Sequence, residues 1–220
     1  MSRTIEHLNI QCENHFFESG LRELFPETAL ETAAHTEGTV TLLILPGDTL
    51  SCLDRIAALM TSRSKGPIVV LGTALQTRLL YGLLERRIRL LPLERCMNRL
   101  VCIIERLSKQ NHASPSSPLI CETRLYKFIG QASGYYDGSG ELQVTMNNNS
   151  GKYSLMRRTN VNNSNELHMK FLLAKKCIEQ LNVRSRAISR EKYSIKQKQI
   201  LAESQVFKAL SGTELARPFL

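Results

Sequence analysis

VTLLIL, residues Val40 to Leu45 of a 220-residue chain, holds five aliphatic side chains, one threonine and no charge. That length and β-branched content belong to a strand covered on both faces of a parallel sheet. Working outward, the short apolar runs at Ile5–Ile10, Ile68–Leu71 and Ile88–Leu91 read as further strands, with helical periodicities between them. In FFESGLRELF, Phe17, Leu21 and Leu24 share one helical face; further on, Leu93, Met97, Leu100, Ile104 and Leu107 step by four, three, four and three residues. Strand and helix alternating over residues 1–107 predict an α/β domain, a doubly wound sheet with helices on both faces. A fifth strand is expected near Ala29–Ala33, and His35 to Thr39 leave no room for a full helix before Val40.

Charge divides the chain. Residues 1–107 hold 12 basic and 12 acidic side chains, whereas residues 108–220 hold 17 and 8 and carry the excess behind the net charge of +9. SKQNHASPSSP, Ser108 to Pro118, is a polar run rich in Ser and Pro that reads as an interdomain linker. No apolar stretch approaches the roughly 20 residues of a membrane span. The start MSRTIEHLNI lacks the apolar core of a secretory signal, so a cytoplasmic protein without a membrane partner is expected. Cys12, Cys52, Cys96, Cys102, Cys121 and Cys177 fall at irregular spacings with no C-x-x-C pair, which reads as reduced, mostly buried thiols. The five histidines have no ligand partners at metal spacing, and no HExxH, phosphate loop or nucleophile elbow is present; neither metal, cofactor nor enzyme activity is expected.

CENHFFESGLRELF, followed by a strand ending Leu45-Pro46-Gly47 and another ending Leu71-Gly72-Thr73, resembles the receiver domain of bacterial response regulators. Receiver chemistry requires acidic metal ligands, an acceptor carboxylate, a hydroxyl and a lysine. Carried over, the acidic pair becomes Cys12 and Glu13, and the acceptor strand has no carboxylate. Asp48 reads as a turn residue, Thr73 matches the switch hydroxyl, and Pro92 or its neighbours stand at the lysine's place. The resemblance thus implies a receiver-like domain over residues 1–107 that is not phosphorylated.

Beyond the linker, Leu119-Ile-Cys-Glu122, Leu125-Tyr126 and Phe128-Ile129-Gly130 resemble the opening helix of the LuxR/FixJ (NarL-like) helix-turn-helix. SLMRRTNVNNSNELHMKF, Ser154 to Phe171, resembles the end of its recognition helix, the turn and the last helix, so that residues 119–182 correspond to the motif. Independently, Asn163 and Glu166 have capping-box spacing, and Leu167, Phe171, Ala174, Ile178 and Leu181 form an apolar helical stripe. The middle departs from the family. GYYDGSGELQVTM stands where the scaffold helix belongs, with Gly134, Gly138 and Gly140 each costing about 1 kcal/mol in a helix interior. Asn147–Gly151 replaces the expected Thr-Val-x-x-His. Local divergence and a compensated reading-frame slip both account for such a window.

The resemblance implies an all-α helix-turn-helix domain whose second helix enters the major groove of double-stranded DNA. Its contacts would come from Thr145, Asn147, Asn148, Ser150, Lys152, Tyr153, Arg157 and Arg158. By composition alone, the Asn-rich, Gly-flanked run is a solvated loop. The tail, residues 183–220, carries a basic run that reads as a solvated face or as added phosphate contacts. The implied function is a DNA-binding transcriptional regulator of the LuxR type, nucleoid-associated and acting without phosphorylation as a homodimer or heterodimer. It is most similar to auxiliary enterobacterial regulators of the capsule and fimbria type, which act with a related response regulator. The alternative is a co-regulator that has lost DNA recognition and forms mixed dimers. The outer faces of Ala74–Arg86 and Leu93–Leu107, with Arg78, Arg86, Arg87, Arg95 and Arg99, are the expected surface for an acidic partner.

Overall fold

The structure, a computed structural model, describes residues 7–25, 29–30, 39–108, 116–136 and 149–187. Its first elements are β1 (His7–Gln11), α1 (His15–Glu23), β2 (Ala29–Leu30), β3 (Val40–Ile44), α2 (Leu53–Thr61), β4 (Arg63–Ser64) and β5 (Ile68–Gly72). They are followed by α3 (Ala74–Leu80), β6 (Ile88–Pro92), α4 (Leu93–Ser108), β7 (Ser117–Pro118), α5 (Glu122–Ala132) and α6 (Asn149–Thr159). A further helix, α7, occupies residues 164–187. Residues 1–178 form one compact unit and residues 179–220 a second, of which 179–187 are described and helical.

Five strands form one parallel sheet in the order β2-β1-β3-β5-β6. The strand order turns back between β1 and β3, as in a doubly wound sheet. β3 is buried along its whole length, as a strand with both faces covered must be. On one face Val40, Leu42 and Ile44 pack with Leu8, Val69 and Leu71 against Leu21 and Phe25 and against Leu100, Ile104 and Leu107 of α4. Period-two alternation sends Thr41, Leu43 and Leu45, also buried, the other way. α2 and α3 bury Ile56, Ala57, Met60, Leu79 and Leu80, and α3 packs on β5 and β6. The expected α/β parallel sheet is present.

Three boundaries differ from the sequence reading. α1 stops at Glu23, so Leu24 is 42% exposed and Phe25, beyond the last turn, fills the core position expected of it. The helix expected over Ala74–Arg86 ends at Leu80, because Gly82 takes a left-handed conformation (φ 76°) that helical backbone does not allow. Of the fifth strand, Ala29 and Leu30 pair with His7 and Leu8; residues 31–38 lie outside the described residues. The thiols also differ from expectation: Cys52 and Cys177 are buried, Cys12 and Cys121 half-buried and Cys102 exposed, all of them free.

The run read as a linker is structured at its end. β7 pairs antiparallel with β4. Ile120 N–H donates to the Met60 carbonyl (2.9 Å) and Cys121 N–H to that of Leu83 (2.8 Å), while Leu119 and Ile120 are buried. Arg87 joins the two strands: one guanidinium nitrogen donates to Gly66 O (3.0 Å), and another to Ser64 O and Ser117 O (each 2.9 Å). Arg87 therefore belongs to this junction rather than to a surface for a partner. Arg86 and Arg99 are exposed, and the side chain of Arg95 lies outside the described residues.

Candidate nucleic-acid interface

α6 begins inside the Asn-rich run. Asn149, Ser150 and Gly151 are its first turn, so the solvated-loop reading does not hold for them. Thr145, Asn147 and Asn148 lie outside the described residues. Leu155 and Met156 are buried, whereas Ser150, Tyr153, Ser154, Arg157 and Arg158 are exposed. Those five sit at i, i+3, i+4, i+7 and i+8, one face of a helix. Tyr153 is 66% exposed, and Lys152 is half-buried beside the face rather than on it. The structure thus brings four of the expected DNA-contacting residues onto one surface, sets Lys152 at its edge and adds Ser154. Helical periodicity counted from Ser150 points to Ser154, which the family pattern did not supply.

α6 ends in a Schellman motif. Asn160 stands in the left-handed region (φ 57°), its N–H donating to Arg157 O (3.3 Å) while Val161 N–H donates to Met156 O (3.1 Å) and the Val161 side chain is buried. The next helix opens as its sequence requires: Asn163 Oδ1 accepts the Glu166 N–H (2.8 Å). The Glu166 carboxylate does not return to Asn163 as in a capping box. It accepts the Asn162 N–H (2.8 Å) and receives a two-pronged contact from Arg78 of α3, Nε to Oε2 at 3.0 Å and an Nη to Oε1 at 2.8 Å. Arg78 holds that carboxyl below its ordinary pKa, and Glu166 raises that of Arg78 in return. Arg78 is therefore satisfied within the chain and is not available to an acidic partner.

α7 buries more than the expected stripe. Leu167, Phe171, Ala174 and Leu181 are buried, Ile178 only partly, and Glu166, Lys170, Leu173 and Cys177 are buried as well. Burial pushes the Cys177 thiol and the Tyr136 hydroxyl up to about 12. The Tyr136 ring stacks on Phe171, centroids 4.9 Å apart, which ties the end of the α5 segment to α7. Lys176 of α7 pairs with Asp54 of α2 (2.5 Å), and Arg124 of α5 donates to Leu84 O (2.8 Å).

The carboxyl ends of β3 and β5 hold the positions at which receiver chemistry would sit. Thr73 does not present a free hydroxyl there: its Oγ1 accepts the Gln76 N–H (3.2 Å) and caps α3. Gln76, 1% exposed, closes the box by accepting the Thr73 N–H (2.8 Å), and its amide donates to the Pro46 carbonyl. A Cβ on Gly72 would lie 2.8 Å from Gln76 Oε1 and 2.9 Å from Leu45 Cδ1, so glycine lets the amide fit. Glu13 pairs with Arg55, and the Cys12 thiol, its pKa raised by burial, donates to Asn14 O. Asp48 is the expected turn residue, accepting from Leu50 N–H (3.1 Å) and Ser51 Oγ. Among the described residues no three His, Cys, Asp or Glu side chains are grouped to hold a metal, and no helix is long and apolar enough to cross a membrane. No protein-family model, curated protein or solved structure matches the chain.

Proposed function

We propose that this protein is a DNA-binding transcriptional regulator of the LuxR type, with α6 as its reading helix and a receiver-like domain that acts without phosphorylation. The observation that carries the reading is the one-sided build of α6: Leu155 and Met156 face inward, while hydroxyls and two guanidinium groups share the exposed face. A helix of that kind suits a major groove, where arginine pairs with guanine or phosphate and hydroxyls with either. The excess of base over acid in residues 108–220 supports the same reading. A single module buries roughly 600–1,000 Å² on DNA, so we assign the reading to a dimer, with itself or with a related regulator, spanning two half-sites.

The test is fluorescence anisotropy on random-sequence and genome-selected duplexes across a salt series. With Lys152, Arg157 and Arg158 each neutralising one phosphate, each protomer contributes a slope of about −2.7 in log K against log salt. Arg157→Ala weakens binding to all sequences and flattens the slope by about one for each protomer. Absence of salt-dependent binding up to high micromolar protein overturns the proposal.

A further inference from the structure

Lys170 is 0% exposed and lies at the meeting point of two helix ends. Its ammonium donates to Tyr81 O (2.7 Å) and Arg78 O (3.1 Å) at the carboxyl end of α3, and to Thr159 O (2.8 Å), the last residue of α6. An ammonium has three donors and no acceptor, and here each donor has a carbonyl. Both helices direct the negative end of their dipole at it, and the Phe128 ring of α5 lies 5.7 Å from the nitrogen. One turn earlier on α7, Glu166 holds Arg78 of the same α3 end and the N–H of Asn162, just past α6.

We propose that Lys170 is a positioning residue that locks the carboxyl end of α6 to the carboxyl end of α3, so that the α/β sheet layer sets the pose of α6. The Schellman turn satisfies the carbonyls of Met156 and Arg157 within the segment itself, whereas the Thr159 carbonyl depends on this side chain. The consequence is coupling: a change at the α3 end, whether a bound partner or a substitution, moves or loosens α6. The lock depends on the DNA-reading proposal only for what α6 does, not for its own existence.

Burial pushes Lys170 down to about 7, against an ordinary 10.5. The charged groups on the surrounding elements include Arg78, paired with Glu166; on α5 Arg124, bonded to Leu84 O, and the exposed Glu122 and Lys127; on α6 the half-buried Lys152 and the exposed Arg157 and Arg158; and on α7 Lys175, over the Phe171 ring, and Lys176, paired with Asp54. His168, on α7, lies against Tyr136. The three carbonyls and the two helix ends favour the charge against that burial, since only the ammonium has a donor for each carbonyl.

The experiment is hydrogen–deuterium exchange on the full chain at about pH 6, below the value to which burial pushes Lys170, read in peptides covering residues 78–84, 156–163 and, as a control in the sheet, 40–45, with wild type and Lys170→Met compared. The expected result is that Lys170→Met raises exchange in 78–84 and 156–163 together, by about tenfold or more, and leaves 40–45 unchanged. Unchanged exchange at either end, or a rise equal to that in 40–45, overturns the proposal. If Lys170→Met does not fold, Lys170→Gln, which keeps two donors for three carbonyls, is read in the same way. Duplex binding is measured on the same samples: coupled loosening together with weakened binding supports both proposals, while coupled loosening in a chain that binds no DNA in either form supports the lock and sinks the DNA reading.

Discussion

At the carboxyl ends of β3 and β5, polar side chains are bonded inward: Thr73 and Gln76 to each other's N–H groups, and the Gln76 amide to Pro46 O. Along α6, Ser150, Tyr153, Ser154, Arg157 and Arg158 face solvent. The two regions teach how polarity is used in this chain. Polar groups that close a backbone cavity act as structure, because a buried hydrogen-bonding group must be satisfied where it stands. The polar groups of α6 are instead held out in solvent by a helix whose opposite face is buried.

The comparison breaks most visibly inside α6. Leu155→Ala removes a fully buried side chain and is expected to destabilise by about 2–5 kcal/mol, whereas Tyr153→Ala, on the exposed face, stays within about 0.5 kcal/mol in the same urea melts and weakens duplex binding. Equal destabilisation by the two would show that the face is not the outside of the helix. Next, Gln76→Leu leaves the Thr73 N–H and the Pro46 carbonyl unpaired, and a loss of about 2–4 kcal/mol is expected from those melts. An unaffected midpoint would mean that water replaces the amide and that the sheet end is open after all.

A smaller effect concerns the Arg78–Glu166 contact. Glu166 titrates below its ordinary 4.5, so its contribution is present above that pH and is lost as pH falls through the lower folded value. Glu166→Gln is expected to cost about 1–2 kcal/mol at neutral pH, with the gap to wild type narrowing under acid; a gap that stays constant down to about pH 3 would assign the loss to packing. The smallest expected effect is none. Acetyl phosphate with magnesium leaves intact mass and oligomeric state unchanged, since β3 carries no carboxylate and Asp48 is a turn residue bonded to Leu50 and Ser51. A stable phospho-aspartate within residues 1–107 would reopen the sheet end as a reaction site.

Most of the sheet was legible in the sequence because burial on two faces demands uninterrupted aliphatic and β-branched runs, and Val40–Leu45 and Ile68–Leu71 are such runs, whereas the edge strand β6 carries the exposed Arg89 among its aliphatic residues. The Asn163 cap was legible too, since a cap is set by residues three apart. Helix ends were less so: whether Leu24 or Phe25 enters the core depends on where α1 stops, and α3 stops six residues earlier than Ala74–Arg86 suggested because Gly82 turns left-handed. On α6 the exposed Arg157 and Arg158 were named from the motif, yet which side of the helix is open became visible only when Leu155 and Met156 were seen to be buried.

The sequence alone determined the elements whose cause is local: strand runs, the cap at Asn163, and the missing acceptor carboxylate. Tertiary structure decided what those elements share. Arg78 and Arg87 read as surface cations and are instead held by Glu166, Ser64, Gly66 and Ser117, the farthest of them 88 residues away. Lys170 reads as one more basic residue on a helix, and its three acceptors are backbone carbonyls 11, 89 and 92 residues distant. Every residue has such a carbonyl, so no side-chain pattern marks these three; only the packing of α3 and α6 around α7 leaves them facing one buried nitrogen.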